Sequence, residues 1–178
     1  MGAAFHVHGD AESNASEFVR PGAPGLVIAN GKVRSMTWGM PMKQNGAGHP
    51  QIVNNAATHR LKSEFWRDSF ELRRGLIPIN AFEIRQGANG QVRPIWIAIK
   101  DQPMFACAGI WRDSDEWGPV YALIMTFRSD KSRPLRDGMP VILDAADYDI
   151  WLNGSMEAAS KLCVPFEKEM AISFTTGP

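Results

Sequence analysis

Gly25-Leu26-Val27-Ile28-Ala29-Asn30-Gly31-Lys32-Val33-Arg34-Ser35-Met36-Thr37-Trp38 is the stretch on which the fold turns. An apolar run ends at Asn30-Gly31 and a second run begins at once. Asn-Gly supplies the two positive φ angles of a type I′ turn, so the sequence predicts a tight hairpin of strands Gly25–Ala29 and Lys32–Trp38. Working outward, Leu76–Phe82, Arg93–Lys100, Met104–Ile110, Tyr121–Thr126 and Val141–Leu143 read as further strands between turn residues. In Arg93–Lys100 the alternation sets Ile95, Ile97 and Ile99 on one face and Trp96 and Ala98 on the other.

Helical patterns are fewer. Thr58–Leu72 carries Leu61, Phe65, Trp66, Ser69 and Phe70 at three-to-four spacing, as an amphipathic helix does. Asp144 is placed to cap a second helix, Ala145–Leu152, ended by Asn153-Gly154. A third covers Met156–Leu162 and stops before Pro165. Pro41–Pro50 and Arg128–Gly138 are loops by composition. Many short strands with few helices imply an α+β fold. The expectation is one domain, residues 1–178, around a curved, mostly antiparallel sheet or barrel with a few flanking helices.

Composition narrows the function classes. The chain has 178 residues, with 19 basic and 19 acidic side chains and a formal net charge of zero. Nucleic-acid binding therefore has to rest on a local patch or on base stacking, since no general excess of cations is present. No run of roughly eighteen apolar residues occurs, so no membrane span is expected. Residues Met1 to Asp10 lack a basic flank followed by an apolar core, so no secretory leader is expected. Cys107 and Cys163 lie far apart in apolar surroundings and read as free thiols of a cytoplasmic protein.

Several stretches, in order, resemble the motifs of one known family. Trp38-Gly39-Met40-Pro41 resembles its tryptophan-glycine-leucine-x-proline turn. Asn54, after two apolar residues, resembles the end of its asparagine-alanine-arginine strand, and Trp66 and Phe70 fall where it places helix aromatics. Arg73 to Phe82 (RRGLIPINAF) is similar to its arginine-arginine-cysteine-leucine-isoleucine-proline strand. Ala108-Gly109-Ile110-Trp111, the strand Ala122 to Thr126, Met139 to Leu143, and Trp151-Leu152 continue the series, so the likeness runs from Phe18 to Met170. The family that these motifs resemble is SRAP, the SOS-response-associated peptidases that process abasic sites, in which the strand similar to Arg73–Phe82 leads to the catalytic glutamate.

The resemblance implies a chemistry. In that family an N-terminal cysteine attacks the aldehyde of an abasic site, and its thiolate and α-amine close a thiazolidine that joins protein to DNA. A glutamate and a histidine move protons, an asparagine orients the sugar, and arginines hold phosphates of single-stranded DNA. No cofactor is implied.

The departures from this pattern fall at the reactive positions. Gly2 stands at the nucleophile, Ala4 at a phosphate-binding arginine, and Ala56 two places after Asn54 where an arginine is expected. Arg136-Asp137-Gly138-Met139-Pro140 stands for histidine-x-arginine-methionine-proline, so Arg136 replaces the histidine. With a pKa of roughly 12 or higher, an arginine is no base near neutral pH. Glu83 sits one residue early, with Ile84 at the glutamate's place, and one residue in a strand flips the side chain unless a bulge restores it. On the resemblance, the catalytic positions are Glu83, Asn54, Gly2 and Arg136. The DNA-binding positions are Trp38, Pro41, Arg73, Arg128, Arg133, Met139 and Pro140.

Each position also has a plainer reading. Trp38 suits a core beneath the sheet, Asn54-Asn55 can close a strand, and Arg73-Arg74 can form a solvated helix-to-strand corner. Arg128, Lys131, Arg133 and Arg136 make the best basic patch available, although charged loops are commonly just solvated. His6-Val7-His8-Gly9-Asp10 resembles part of a metallo-β-lactamase zinc pattern, but Ala11 stands where that pattern needs a histidine, so no metal is expected. Three functions follow: a crosslinking-impaired binder of single-stranded or abasic-site DNA; a Schiff-base lyase using the N-terminal amine and Glu83; and a protein-interaction module on the same scaffold.

Overall fold

The computed structural model describes residues 18–43, 49–88, 91–126 and 138–173. The opening hairpin is formed by β1, Pro24–Ala29, and β2, Lys32–Trp38. Its turn is the expected one, with φ of 53° at Asn30 and 69° at Gly31, and Ala29 pairs with Lys32 across it. Next come β3, Met40–Met42, and β4, Gln51–Val53, which pair antiparallel. Part of the expected Pro41–Pro50 loop is therefore strand. β5, Asn55–Ala57, follows directly.

The predicted helix Thr58–Leu72 is broken. A 3-10 turn spans Thr58–Arg60, and α1 begins only at Glu64 and runs Glu64–Leu72. Ser63 between them is extended, with φ −70° and ψ 157°, which ends the first turn and starts the second segment. The predicted strand Leu76–Phe82 is likewise two strands. β6, Arg74–Ile79, pairs with β1 and β9 (Phe105–Ser114), whereas β7, Phe82–Ala88, pairs with β8 (Gln91–Ile99) in a separate sheet. The chain changes sheets at Asn80-Ala81, a step that an apolar run by itself does not mark.

β10, Gly118–Thr126, completes the centre. One of its edges pairs with β9 and then with β11, Met139–Pro140; the other runs parallel to β2 and then β5. Pairings thus run from β10 through β2, β1, β6 and β9 back to β10. Two links are short: β1–β6 rests on Ile28 with Leu76, and β2–β10 on two residue pairs. The result is a strongly curved, mostly antiparallel sheet and not a closed barrel. β12, Ile142–Leu143, adds to β9. A 3-10 turn at Ala145–Asp147, α2 at Tyr148–Asn153 and α3 at Met156–Lys161 follow, and β13, Met170–Ser173, joins β8.

Both faces of the large sheet are covered, so its central strands bury both sets of side chains. Along β9, Phe105, Cys107 and Trp111 enter one core, while Ala106, Ala108 and Ile110 enter the other. Tyr121, Leu123 and Met125 of β10 divide the same way from Val120, Ala122 and Ile124. This explains why these strands read as continuous apolar runs with no alternation. The small sheet covers the first face, with Ile95, Ile97 and Ile99 packed inward as their alternation predicts. The helices cover the second face through Trp66, Phe70, Trp151 and Ala159.

Helix ends hold two corrections. Asp144 makes no capping bond; its carboxylate pairs with Lys168. Ser155 is the capping residue, accepting from the Ala158 amide at 3.1 Å, while the Gly154 amide donates to the Ile150 carbonyl where α2 ends. Arg74 is no solvated corner. It is buried, and its guanidinium donates to the carbonyls of Phe70 (2.7 Å) and Glu71 (3.1 Å) at the end of α1 and to those of Trp151 and Gly154 at the end of α2. One cation thereby satisfies carbonyls of two helix termini and ties both to β6.

Candidate functional site

Trp38 ends β2 in the first core with 2 % of its surface exposed, and its ring stacks on Tyr121 with centroids 6.4 Å apart. Its indole N–H donates to the Asn54 carbonyl at 2.8 Å, and the Leu123 amide donates to the same carbonyl at 3.1 Å. The tryptophan therefore fixes the backbone at Asn54 and offers no open face to a base. Gly39, at φ 132°, makes the next turn possible, and its amide donates to the Tyr121 carbonyl at 2.8 Å.

Asn54 itself is half-buried. Its neighbour Asn55 pairs with Leu123 and carries a buried side-chain oxygen that meets no donor among the described residues. The sequence reading weighed Asn55 together with Asn54 but gave the site position to Asn54, although Asn55-Ala56 is the pair that reads asparagine-alanine. An orphaned buried acceptor marks it as a second candidate beside Asn54.

Glu83 lies on β7 in an unbroken register: Phe82 opposite Ile97, Glu83 opposite Trp96, Ile84 opposite Ile95. No bulge intervenes. Phe82 belongs to the first core and Ile84 packs against it, so alternation turns Glu83 to the outer face of the small sheet. Met139 and Pro140 are both buried in β11, paired with Thr126 and Met125. Gly2, Arg128, Arg133 and Arg136, together with His6 and His8, lie outside the described residues. Among the described residues no cluster of three or more histidine, cysteine or acidic side chains could hold a metal.

The structure also sets beside Arg73 an arginine that the sequence reading passed over, Arg112. β9 extends beyond the predicted Ile110 and carries Arg112 on the helix side, the face of Ala108 and Ile110. Arg112 donates to the Pro41 carbonyl at 2.9 Å and lies 4.4 Å over the Phe65 ring. Burial holds its guanidinium below the usual value, and the charge of Arg73 adds to that effect. Arg73 caps the end of α1, and its Nε–H is buried without an acceptor among the described residues. Both arginines line a cleft of about 530 Å³ with Ser63, Glu64, Phe65 and Asp68. Of the sequence-predicted positions, Trp38 meets Asn54, and Pro41 and Arg73 converge on Arg112.

The two thiols are guarded by burial, which raises the Cys107 thiol far above its usual range and pushes Cys163 up to about 11. Neither is a ready nucleophile at neutral pH.

Comparison with known proteins agrees with this architecture. The profile of the family described as SOS response associated peptidase (SRAP) matches residues 4–175. A crystal structure of a Bordetella bronchiseptica protein is similar over 93 % of this chain and 90 % of its own, with a TM-score of 0.80 and 17 % identity. A Bacteroides thetaiotaomicron protein matches over 88 % of this chain and 76 % of its own, with a TM-score of 0.73 and 22 % identity. A phage-related protein from Bordetella bronchiseptica gives a TM-score of 0.72 at 16 % identity, over 90 % of this chain and 82 % of its own. No curated protein matches. The architecture is that of an α+β protein with a two-faced curved sheet. The chain belongs to the SRAP family.

Proposed function

We propose that this SRAP protein binds single-stranded or abasic-site DNA weakly and does not form the stable covalent link of its family. The register of β7 supports this reading most. Ile84, where the resemblance expects the proton-transferring glutamate, packs on the core, and Glu83 faces away from it. Gly2 and Arg136 at the nucleophile and histidine positions act in the same direction, because neither supplies a thiolate or a neutral base. The N-terminal amine remains able to condense with an aldehyde, but a Schiff base hydrolyses where a thiazolidine persists.

The test offers the protein single-stranded DNA carrying one abasic site, beside an undamaged strand, with and without borohydride. The expected result is reversible binding and no heat-stable adduct in the absence of borohydride. An adduct that survives heating without reductant would refute the reading. Trapping by borohydride together with strand cleavage would assign Schiff-base lyase chemistry instead.

A further inference from the structure

Arg73 and Arg112 converge in the cleft between α1 and β9, where no described residue neutralises them. Among the described residues neither forms an ion pair: Glu64 and Asp68, the acids that line the same cleft, stay beyond pairing distance. The two cations differ in how they are held. Arg112 is pinned, with its terminal nitrogens on the Pro41 and Phe65 carbonyls and its plane over the Phe65 ring. Among the same residues Arg73 is uncommitted, and it carries a buried Nε–H that meets no acceptor there. A buried charged donor left without a partner is costly, and it invites an acceptor from outside. Ser63, also on this cleft, makes no capping bond with its hydroxyl.

We propose that Arg73 and Arg112 form a binding site for a phosphate oxyanion in this cleft. The planar guanidinium fork of Arg73 matches two phosphate oxygens, and the fixed charge of Arg112 faces the same ligand from across the cleft. Glu64 and Asp68 are exposed and disfavour additional negative charge, so a singly charged phosphodiester suits the site better than a dianion. Two sources carry that chemistry: a phosphate of a DNA strand and a small phosphate ion. The first would place one backbone contact of the DNA reading above. The site does not depend on any abasic-site chemistry.

Arg73→Gln is the informative variant, because its side chain holds no other described residue, whereas Arg112 supports Pro41 and Phe65. An undamaged oligothymidylate is titrated by fluorescence anisotropy and inorganic phosphate by calorimetry, at low salt. Arg67→Gln, on the exposed face of α1, is the control. The expected result is about tenfold weaker oligonucleotide binding in Arg73→Gln, no change in Arg67→Gln, and partial rescue in Arg73→Lys. Loss of phosphate binding with oligonucleotide binding intact keeps the site and assigns it to a small phosphate. If the wild type binds phosphate but no DNA, the DNA reading fails and the site stands. Equal affinities of wild type and Arg73→Gln for both ligands overturn the proposal, as does a wild type that binds neither.

Discussion

Neighbouring arginines in this chain have opposite fates. Arg74 turns inward and meets four carbonyls at two helix ends, while Arg73 turns to the cleft and its side chain meets none among the described residues. Burial lowers the Arg74 guanidinium from its usual value. Removing a buried, fully bonded cation strands the carbonyls that it served. Arg74→Ala is therefore expected to lower stability by about 3 kcal/mol, or roughly 10 °C in Tm. Thermal unfolding followed by circular dichroism checks this. A shift near that of an ordinary surface substitution would show that water replaces the guanidinium without penalty.

At the scale of elements, the turn between β2 and β3 sets up the candidate site. Trp38 anchors the Asn54 carbonyl, and the next residue must swing the chain toward β4. Gly39 does so at φ 132°, where a Cβ would stand 2.3 Å from Ile52 Cγ2. Gly39→Ala combines a strained backbone with a clash and is expected to cost about 2 kcal/mol. Denaturant unfolding measures it, and a loss below about 0.5 kcal/mol would mean that the β3–β4 pair moves aside freely. Much of this scale was legible beforehand. Asn30-Gly31 gave the hairpin, and the isoleucine alternation gave the inward face of β8. The split of Leu76–Phe82 was hidden, because the apolar run carries on past Asn80-Ala81 into Phe82, the first residue of β7, and nothing local marks the change of sheet. The split of the Thr58–Leu72 helix was also hidden, because an extended Ser63 leaves the three-to-four spacing almost intact.

For the whole molecule, zero net charge removes any general field that would draw DNA to the surface. Any DNA affinity then depends on few phosphate contacts, and its salt dependence should be shallow. The slope of log affinity against log salt is expected to lie near −0.7 to −1.4, corresponding to about one or two phosphates of a single strand. Anisotropy titrations across a salt series measure this, and a slope steeper than about −4 would indicate a broader basic surface than Arg73 and Arg112 supply.

The sequence by itself determined the class of fold and the family likeness, since turn chemistry and residue identity are local properties. The site was only partly legible. Asn54 and Arg73 could be named from motif position, but the buried oxygen of Asn55, the role of Arg112 and the choice between a flipped and a bulge-restored Glu83 could not. These depend on which strand pairs with which and in what register, and side-chain alternation converts a shift of one residue into a change of face. Only the tertiary structure settles that, because a register is fixed by the packing of distant strands around a shared core.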